Sequence, residues 1–118
     1  MRRIMDPGQE PGWKIARGFA RFLISLVVEV FLSESATIPV TSGRVHEIGL
    51  GGLGSTLESD VRVGQRVWLQ FQLPSADPIR LLSRVCHSES ERFGFEFLEI
   101  TPEQRELIRK ACQGLPNA

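Results

Sequence analysis

Along residues 66–73, which read RVWLQFQL, apolar and polar side chains alternate, and this pattern constrains the fold more than any other feature of the sequence. Successive side chains of an extended strand point to opposite faces, so Val67, Leu69 and Phe71 share one face. The segment is therefore predicted to be a strand that buries one face and exposes the other.

Other segments carry strand features of the same kind. Residues 22–31 alternate with a period of two, and Phe93, Phe95 and Phe97 are spaced two residues apart. The predicted strands are residues 22–31, 38–48, 53–57, 66–73, 79–88 and 92–100. Short connections between consecutive strands favour antiparallel neighbours.

A helix is predicted after the last strand. Thr101 is a favourable N-cap, Pro102 fits the first helical position, and Gln104 completes a capping box. Apolar residues recur at helical spacing over residues 107–115, and Gly114 ends the helix.

Together these elements predict a mainly β fold, a six-stranded antiparallel barrel with a C-terminal α-helix that closes or plugs it. Trp68, on the polar side of its strand, is expected either to pack under this helix or to be an exposed contact residue.

The 118 residues suit one domain. We expect a flexible leader at residues 1–16, the domain at 17–115 and a tail at 116–118.

The composition argues against nucleic-acid binding and membrane insertion. Fourteen basic and fourteen acidic residues give a formal net charge of zero, which argues against a DNA- or RNA-binding surface. The apolar stretch 19–32 is too short and too polar to span a bilayer, so membrane insertion is not expected.

Catalytic and metal-binding groups are not evident. Cys86 and Cys112 are far apart and are expected to be buried free thiols, which favours a cytoplasmic protein. His46 and His87 have no ligand-spaced partner. We expect a binding module rather than an enzyme, with no cofactor and no metal.

Residues 49–54 read GLGGLG, with four glycines in six residues. Such a run indicates either a backbone with positive φ or the close approach of another group. The Gly-Lys-Ser/Thr ending of a phosphate-binding loop is absent. The run is either part of a ligand site or a plain turn or bulge.

Three stretches, RVHEIGLGGLG, VRVGQRVWLQFQLP and RFGFEFLEITPEQRELIRKA, resemble the PilZ domain family in content and order. The resemblance covers roughly residues 17–115. It implies a six-stranded barrel with a C-terminal helix and a cytoplasmic receptor for the bacterial second messenger cyclic di-GMP.

The family binds this ligand through two motifs. RxxxR is matched by Arg17 and Arg21, before the first strand. The second, (D/N)xSxxG, aligns with residues 47–52, where Gly52 matches, Glu47 replaces Asp or Asn, and Gly49 replaces Ser. The resemblance thus implies ligand contacts at Arg17, Arg21, Glu47, Gly49 and Gly52.

The chemistry of these residues suits the ligand. An arginine can stack on a base, donate two parallel hydrogen bonds to guanine O6 and N7, or pair with a phosphate. The Glu47 carboxylate can accept hydrogen bonds from guanine N1 and N2. Alternatively, Glu47 pairs only with Arg44 or another surface arginine. The RxxxR spacing also occurs at Arg62/Arg66, Arg80/Arg84 and Arg105/Arg109, which are expected to be solvated.

Two functions follow from the resemblance. The first is a cyclic di-GMP receptor that changes its contacts with a protein effector when the ligand binds, in motility or biofilm formation. The alternative is a degenerate PilZ-like interaction module that binds protein but no nucleotide. Glu47 and Gly49 favour the alternative, and the intact RxxxR opposes it.

Overall fold

The computed structural model describes residues 19–118, so Arg17 lies outside the described residues. This part of the chain contains six strands and one helix. The elements are β1 (Arg21–Phe31), β2 (Thr41–Gly49), β3 (Gly52–Leu57), β4 (Arg66–Phe71), β5 (Ile79–Glu89), β6 (Arg92–Phe97) and α1 (Pro102–Cys112). The strands close into an antiparallel barrel in the order β1-β2-β3-β6-β5-β4. The predicted barrel and C-terminal helix are confirmed.

Some predicted strand ends were wrong. β2 begins at Thr41 rather than at residue 38, because Pro39 has no N–H to donate to a ladder. Ile38 and Val40 are consequently exposed in the β1–β2 loop. β4 and β6 end at Phe71 and Phe97, before the chain turns away from the sheet.

The barrel closes where β1 pairs with β4, at Val28 to Phe31. The beginning of β1 lies beyond this contact and finds another partner. The Leu23 N–H donates to the Pro116 carbonyl at 2.8 Å, and the Ala118 N–H donates to the Arg21 carbonyl at 2.9 Å. Residues 116–118, expected to be a tail, therefore cover the edge of β1 that β4 does not reach.

The core is formed by inward-facing aliphatic and aromatic side chains of the strands. Its fully buried members include Val28, Val30, Val45, Ile48, Leu53, Val67, Leu69, Leu81, Val85 and Phe95. Ile108 and Cys112 of α1 join this cluster, so the helix packs against the barrel as predicted. Among residues 19–118, no helix has the length and apolar character that crossing a bilayer requires.

The start of α1 has the predicted cap. The Gln104 N–H donates to the Thr101 hydroxyl at 3.1 Å, and the Thr101 N–H donates to the Gln104 side-chain carbonyl at 3.0 Å. Trp68 is half-buried and lines a groove with Ile100, Thr101 and Gln104, beside this end of the helix.

Arg80 of β5 anchors the β1–β2 loop. Its Nη1 donates to the carbonyls of Glu34 and Ala36 at 2.6 and 2.8 Å. Its Nε and Nη2 donate to Gln70 Oε1 at 3.0 and 2.8 Å, and the guanidinium lies 3.8 Å from the centroid of the Phe31 ring. One side chain thus links the loop to β1, β4 and β5, so it is not the solvated residue that its spacing with Arg84 suggested.

We predict that Arg80→Ala lowers the free energy of unfolding by about 2–3 kcal/mol, because several charge-assisted hydrogen bonds and a cation–π contact are lost. Arg80→Lys keeps the charge but not the planar fork, so it should recover only part of this stability. Urea denaturation measures both. The exposed Arg105→Ala should change stability by less than about 0.5 kcal/mol, and an equal effect of the two alanine variants would contradict the anchoring role.

Candidate functional site

Arg21 is the first residue of β1 and is buried although it is charged. Its backbone is held on both sides, because it pairs with Gly49 of β2 and its carbonyl accepts from the Ala118 N–H. A charged side chain is rarely buried without a partner, since burial removes it from water.

Glu47 of β2 is that partner. Arg21 Nη1 donates to Glu47 Oε1 at 2.9 Å, and the two side chains are 7% and 28% exposed. The structure therefore brings together one residue from each predicted motif, 26 positions apart in the chain. The predicted alternative, a pair between Glu47 and Arg44, is not formed. Arg44 donates instead to the Ser25 hydroxyl at 3.1 Å.

A cavity of about 170 Å³ opens beside this ion pair on the barrel wall. Its lining residues are Arg21, Glu47, Gly54, Ser55, His87, Glu89, Arg92, Phe93 and Gly94. Five strands, β1, β2, β3, β5 and β6, contribute to it. Gly49 and Gly52 do not line it, although the resemblance implied ligand contacts there.

Gly49 and Gly52 instead allow backbones to approach closely. A Cβ at Gly49 would lie 2.2 Å from the Ala20 carbonyl oxygen, and one at Gly52 would lie 2.0 Å from the Phe95 carbonyl oxygen. Positive φ occurs at Gly64 and Gly114 but at no glycine of the 49–54 run. Close approach, rather than positive φ, therefore explains these two glycines.

The residues that line the cavity wall are aligned across the sheet. Glu47 pairs with Gly54, Gly54 pairs with Gly94, and Gly94 pairs with His87. We call these four residues the glycine row. Its two central positions carry no side chain of their own, so the row forms a shallow floor between Glu47 and His87, and the Glu47 side chain lies over Gly54.

Irregularities of the sheet adjoin both ends of the row. The β2–β3 register shifts between Val45 and Glu47, and the β5–β6 register shifts between Val85 and His87. Bulges of this kind bend a strand and re-aim the next side chain, and they are common beside binding sites. One register shift directly precedes Glu47 and the other directly precedes His87.

Several residues of the cavity were missed by sequence reasoning. Ser55, Arg92 and Gly94 lie on different strands and form no local motif, and His87 was judged isolated. One signal was present in the sequence: Gly94 interrupts a strand between two inward-facing phenylalanines, and a glycine within a strand often marks close approach by another group.

A second ion pair, between Arg84 and Glu96, lies on the neighbouring β5–β6 row. Close to it, burial and, to a smaller extent, the Glu96 carboxylate raise the pKa of the Cys86 thiol from 9.0 to about 11, although Arg21 and Arg84 act in the opposite direction. Burial also raises the pKa of the Cys112 thiol. Both cysteines are free.

No cluster of three or more His, Cys, Asp or Glu side chains suited to a metal ion occurs within residues 19–118. His46 instead lies 3.2 Å from the Thr56 hydroxyl, and His87 Nε2 lies 3.7 Å from Glu89 Oε1. The chemistry that the cavity offers is hydrogen bonding and charge pairing with a ligand.

We predict that Cys86 reacts slowly with iodoacetamide. With its pKa at about 11, the thiolate fraction at pH 8 is about 100-fold smaller than for a thiol with a pKa of 9.0. Alkylation at pH 8, followed by peptide mass spectrometry, should therefore be about 100-fold slower than in the urea-unfolded chain. Equal alkylation rates in the folded and unfolded states would contradict the raised pKa of Cys86.

The same shift makes stability depend on pH. The folded state holds the Cys86 proton more tightly than the unfolded chain does. The contribution of Cys86 to the free energy of unfolding is therefore complete below pH 9 and is lost as the pH rises through about 11.

Restoring the serine of the second motif should destabilise this chain. In Gly49→Ser the new Cβ would meet the Ala20 carbonyl at 2.2 Å, and we expect the free energy of unfolding to fall by about 1–3 kcal/mol. Gly54→Ser is the matched control, because its Cβ would lie 3.1 Å from the flexible Glu47 side chain, which can yield. Urea denaturation compares them, and a Gly49→Ser variant as stable as the parent would contradict the close approach.

Comparison with known proteins agrees with this architecture. The chain is similar to the PilZ domain of CeSA from a cellulose-synthesizing bacterium, with a TM-score of 0.59 and 17% identity over 80% of this chain and 95% of that one. It is also similar to the PilZ domain of YcgR from Escherichia coli, solved with c-di-GMP, with a TM-score of 0.64 and 15% identity over 82% and 88% of the two chains.

The inhibitor of motility MotI/DgrA from Bacillus subtilis is a third similar structure, with a TM-score of 0.63 and 19% identity over 80% of this chain. The alignment spans 47% of that protein. At these identities the solved structures show a shared fold. A search of curated protein sequences found no significant relative. The PilZ domain family model, however, matches residues 16–114, which is most of the chain, and this protein therefore belongs to the PilZ domain family.

Proposed function

We propose that this protein is a cyclic di-GMP receptor that changes its contacts with a protein effector when the ligand binds. The observation that carries the proposal is the meeting of Arg21 and Glu47 at 2.9 Å beside a cavity. These residues belong to the two motifs through which the family resemblance implies binding. The c-di-GMP complex of the related YcgR domain supports the same ligand class.

Each motif residue has a chemical role in this proposal. Arg21 and Arg17, four residues upstream, supply guanidinium groups for guanine faces, guanine edges and phosphates. Glu47 accepts hydrogen bonds from guanine N1 and N2, and its extra methylene relative to Asp moves the carboxylate by about 1.5 Å. Loss of the motif hydroxyl at Gly49 weakens binding by about tenfold or less.

The unpaired Nε of the buried Arg21 side chain also supports a ligand in this cavity. The Nε of Arg21 is buried and has no hydrogen-bond partner within residues 19–118. Buried polar atoms in folded proteins are almost always paired. A phosphate or guanine oxygen in the cavity would supply the missing acceptor.

The ligand's effect on partners would pass through the segment before β1. Phe19 and Ala20, just before Arg21, line a mostly apolar groove of about 400 Å³ with Leu50, Cys112 and Leu115. Drawing Arg17 and Arg21 onto the ligand would alter this groove and the surface offered to an effector. In this proposal the protein is a cytoplasmic module, not an enzyme, and binds neither DNA nor RNA.

Two observations favour the alternative, a PilZ-like module that binds only protein. Glu47 already satisfies part of the Arg21 guanidinium, and Gly49 is required by the close Ala20 backbone rather than left free for a ligand. In that case the ion pair would only brace β1 against β2.

Isothermal titration calorimetry with cyclic di-GMP tests the proposal. We expect a micromolar dissociation constant, with Arg17→Ala and Arg21→Ala each weakening binding by about 10- to 100-fold because a charge-assisted contact is lost. The matched control is Arg62→Ala/Arg66→Ala, an exposed pair with the same spacing, which should leave the constant unchanged.

Circular dichroism verifies that each variant is folded. Absence of heat and of amide chemical-shift changes at high ligand concentration would overturn the receptor proposal and support the protein-binding alternative.

A further inference from the structure

We propose that Gly54 and Gly94 seat a guanine base and that Arg92 is a further ligand-binding residue, which reads the edge of that base opposite Glu47. This inference rests on the proposed function, because it names how the same cavity selects its nucleotide.

The glycine row provides a surface that suits a planar base. Gly54 and Gly94 are direct partners across β3 and β6, so two adjacent positions of the outer wall carry no side chain. Neighbouring strands lie about 4.8 Å apart, so three strand intervals separate Glu47 and His87 by about 14 Å. A purine seated on the two glycines would lie between these ends, and the Glu47 side chain, which lies over Gly54 in this structure, would move to the edge of the base.

Arg92 is placed to reach the floor from the side away from Arg21. It is the first residue of β6 and pairs with Thr56 of β3 and Glu89 of β5, next to the glycine row. It is exposed and lines the same cavity as Arg21 and Glu47. The turn before it has Ser90 at φ 57°, and this tight hairpin fixes where β6 begins.

The guanidinium of Arg92 is also uncommitted. Arg21, Arg84 and Arg109 form ion pairs with Glu47, Glu96 and Glu106, and Arg80 and Arg44 donate hydrogen bonds. By contrast, no hydrogen bond or ion pair joins the Arg92 side chain to any residue from 19 to 118. Its donors remain available to a ligand.

Two buried side-chain atoms in the described part of the chain have no hydrogen-bond partner, namely Arg21 Nε and Ser55 Oγ. Both residues line this cavity. Ser55 is 2% exposed and lies on β3 directly after Gly54. Because side chains alternate along a strand, the Ser55 hydroxyl faces the barrel interior with Leu53 and Leu57, so Arg21 Nε is the unpaired donor that is placed to meet a polar ligand in the cavity.

The arrangement favours guanine over adenine. Guanine offers N1–H and N2–H donors to the Glu47 carboxylate, and it offers O6 and N7 acceptors to the planar fork of Arg92. Adenine has an amino group in place of O6 and lacks the two donors. The Glu47 carboxylate would therefore lose both of its donors, and the Arg92 fork would lose one of its two acceptors. Arg92 and Glu47 together therefore determine base specificity.

Calorimetric titrations with cyclic di-GMP and cyclic di-AMP test this inference. We expect Arg92→Ala to weaken cyclic di-GMP binding by about 10- to 100-fold and to change the weak cyclic di-AMP binding little. Arg92→Lys should lose most of this affinity because it lacks the fork. Arg105→Ala, another exposed arginine, is the control and should bind as the parent does.

Gly54→Ala tests the floor together with the Glu47 side chain that lies over it. Its Cβ would lie 3.1 Å from the movable Glu47 side chain, so the variant should fold, while cyclic di-GMP binding should weaken by at least about tenfold. A thermal melt verifies folding.

The outcomes separate this inference from the proposed function. If Arg21→Ala abolishes binding while Arg92→Ala and Gly54→Ala bind as the parent does, the receptor function stands and the inference is overturned. If Arg92→Ala weakened the binding of both dinucleotides equally, Arg92 would be a phosphate contact, and its role in base selection would be overturned. If the parent binds neither dinucleotide, both the receptor function and the inference fall.

Discussion

Closure of the barrel through β1 is the constraint on which the rest of the structure depends. β1 pairs with β2 along most of its length but with β4 only from Val28 to Phe31. Its other end would be an open edge with unpaired backbone groups. Residues 116–118 cover it, and their hydrogen bonds reach Arg21 and Leu23. The first residue of the barrel is thus held between β2 and the end of the chain, and this fixes Arg21 beside Glu47.

The candidate site depends as much on absent side chains as on present ones. At Gly49 and Gly52, backbone oxygens occupy the space that a Cβ would need. At Gly54 and Gly94, the outer wall carries no side chain of its own, and the Glu47 side chain lies over Gly54. The first two glycines determine how closely the strands and the segment before β1 approach one another, whereas the second two determine what shape the wall presents. Substitution of the motif serine by Gly49 is therefore a structural requirement of this chain, which removes a hydroxyl from the site.

Arg21 illustrates the balance of forces at the site. Burying its guanidinium removes hydration, and one hydrogen bond from Nη1 to Glu47 offsets only part of that cost. The Nε donor stays unpaired within the described residues. Partly buried ion pairs of this kind contribute little net stability but strongly favour one geometry. The pair therefore fixes the Arg21 guanidinium at the cavity wall, and Arg92 is exposed on the other side of the glycine row.

The sequence by itself determined the elements and their order. Alternation placed the six strands, because the strand period is local, and the residues around Thr101 placed the helix start, because capping involves neighbours three positions apart. The PilZ motifs identified Arg21 and Glu47 as candidate ligand contacts, but they did not predict that the two side chains would contact each other. Only the tertiary structure decided the Arg21–Glu47 contact, the row that aligns Glu47, Gly54, Gly94 and His87, and the place of Arg92 beside it. Each of these depends on the register between strands distant in sequence, and a shift of one residue would turn every side chain to the other face. The register follows from packing of the whole barrel, which no single segment encodes.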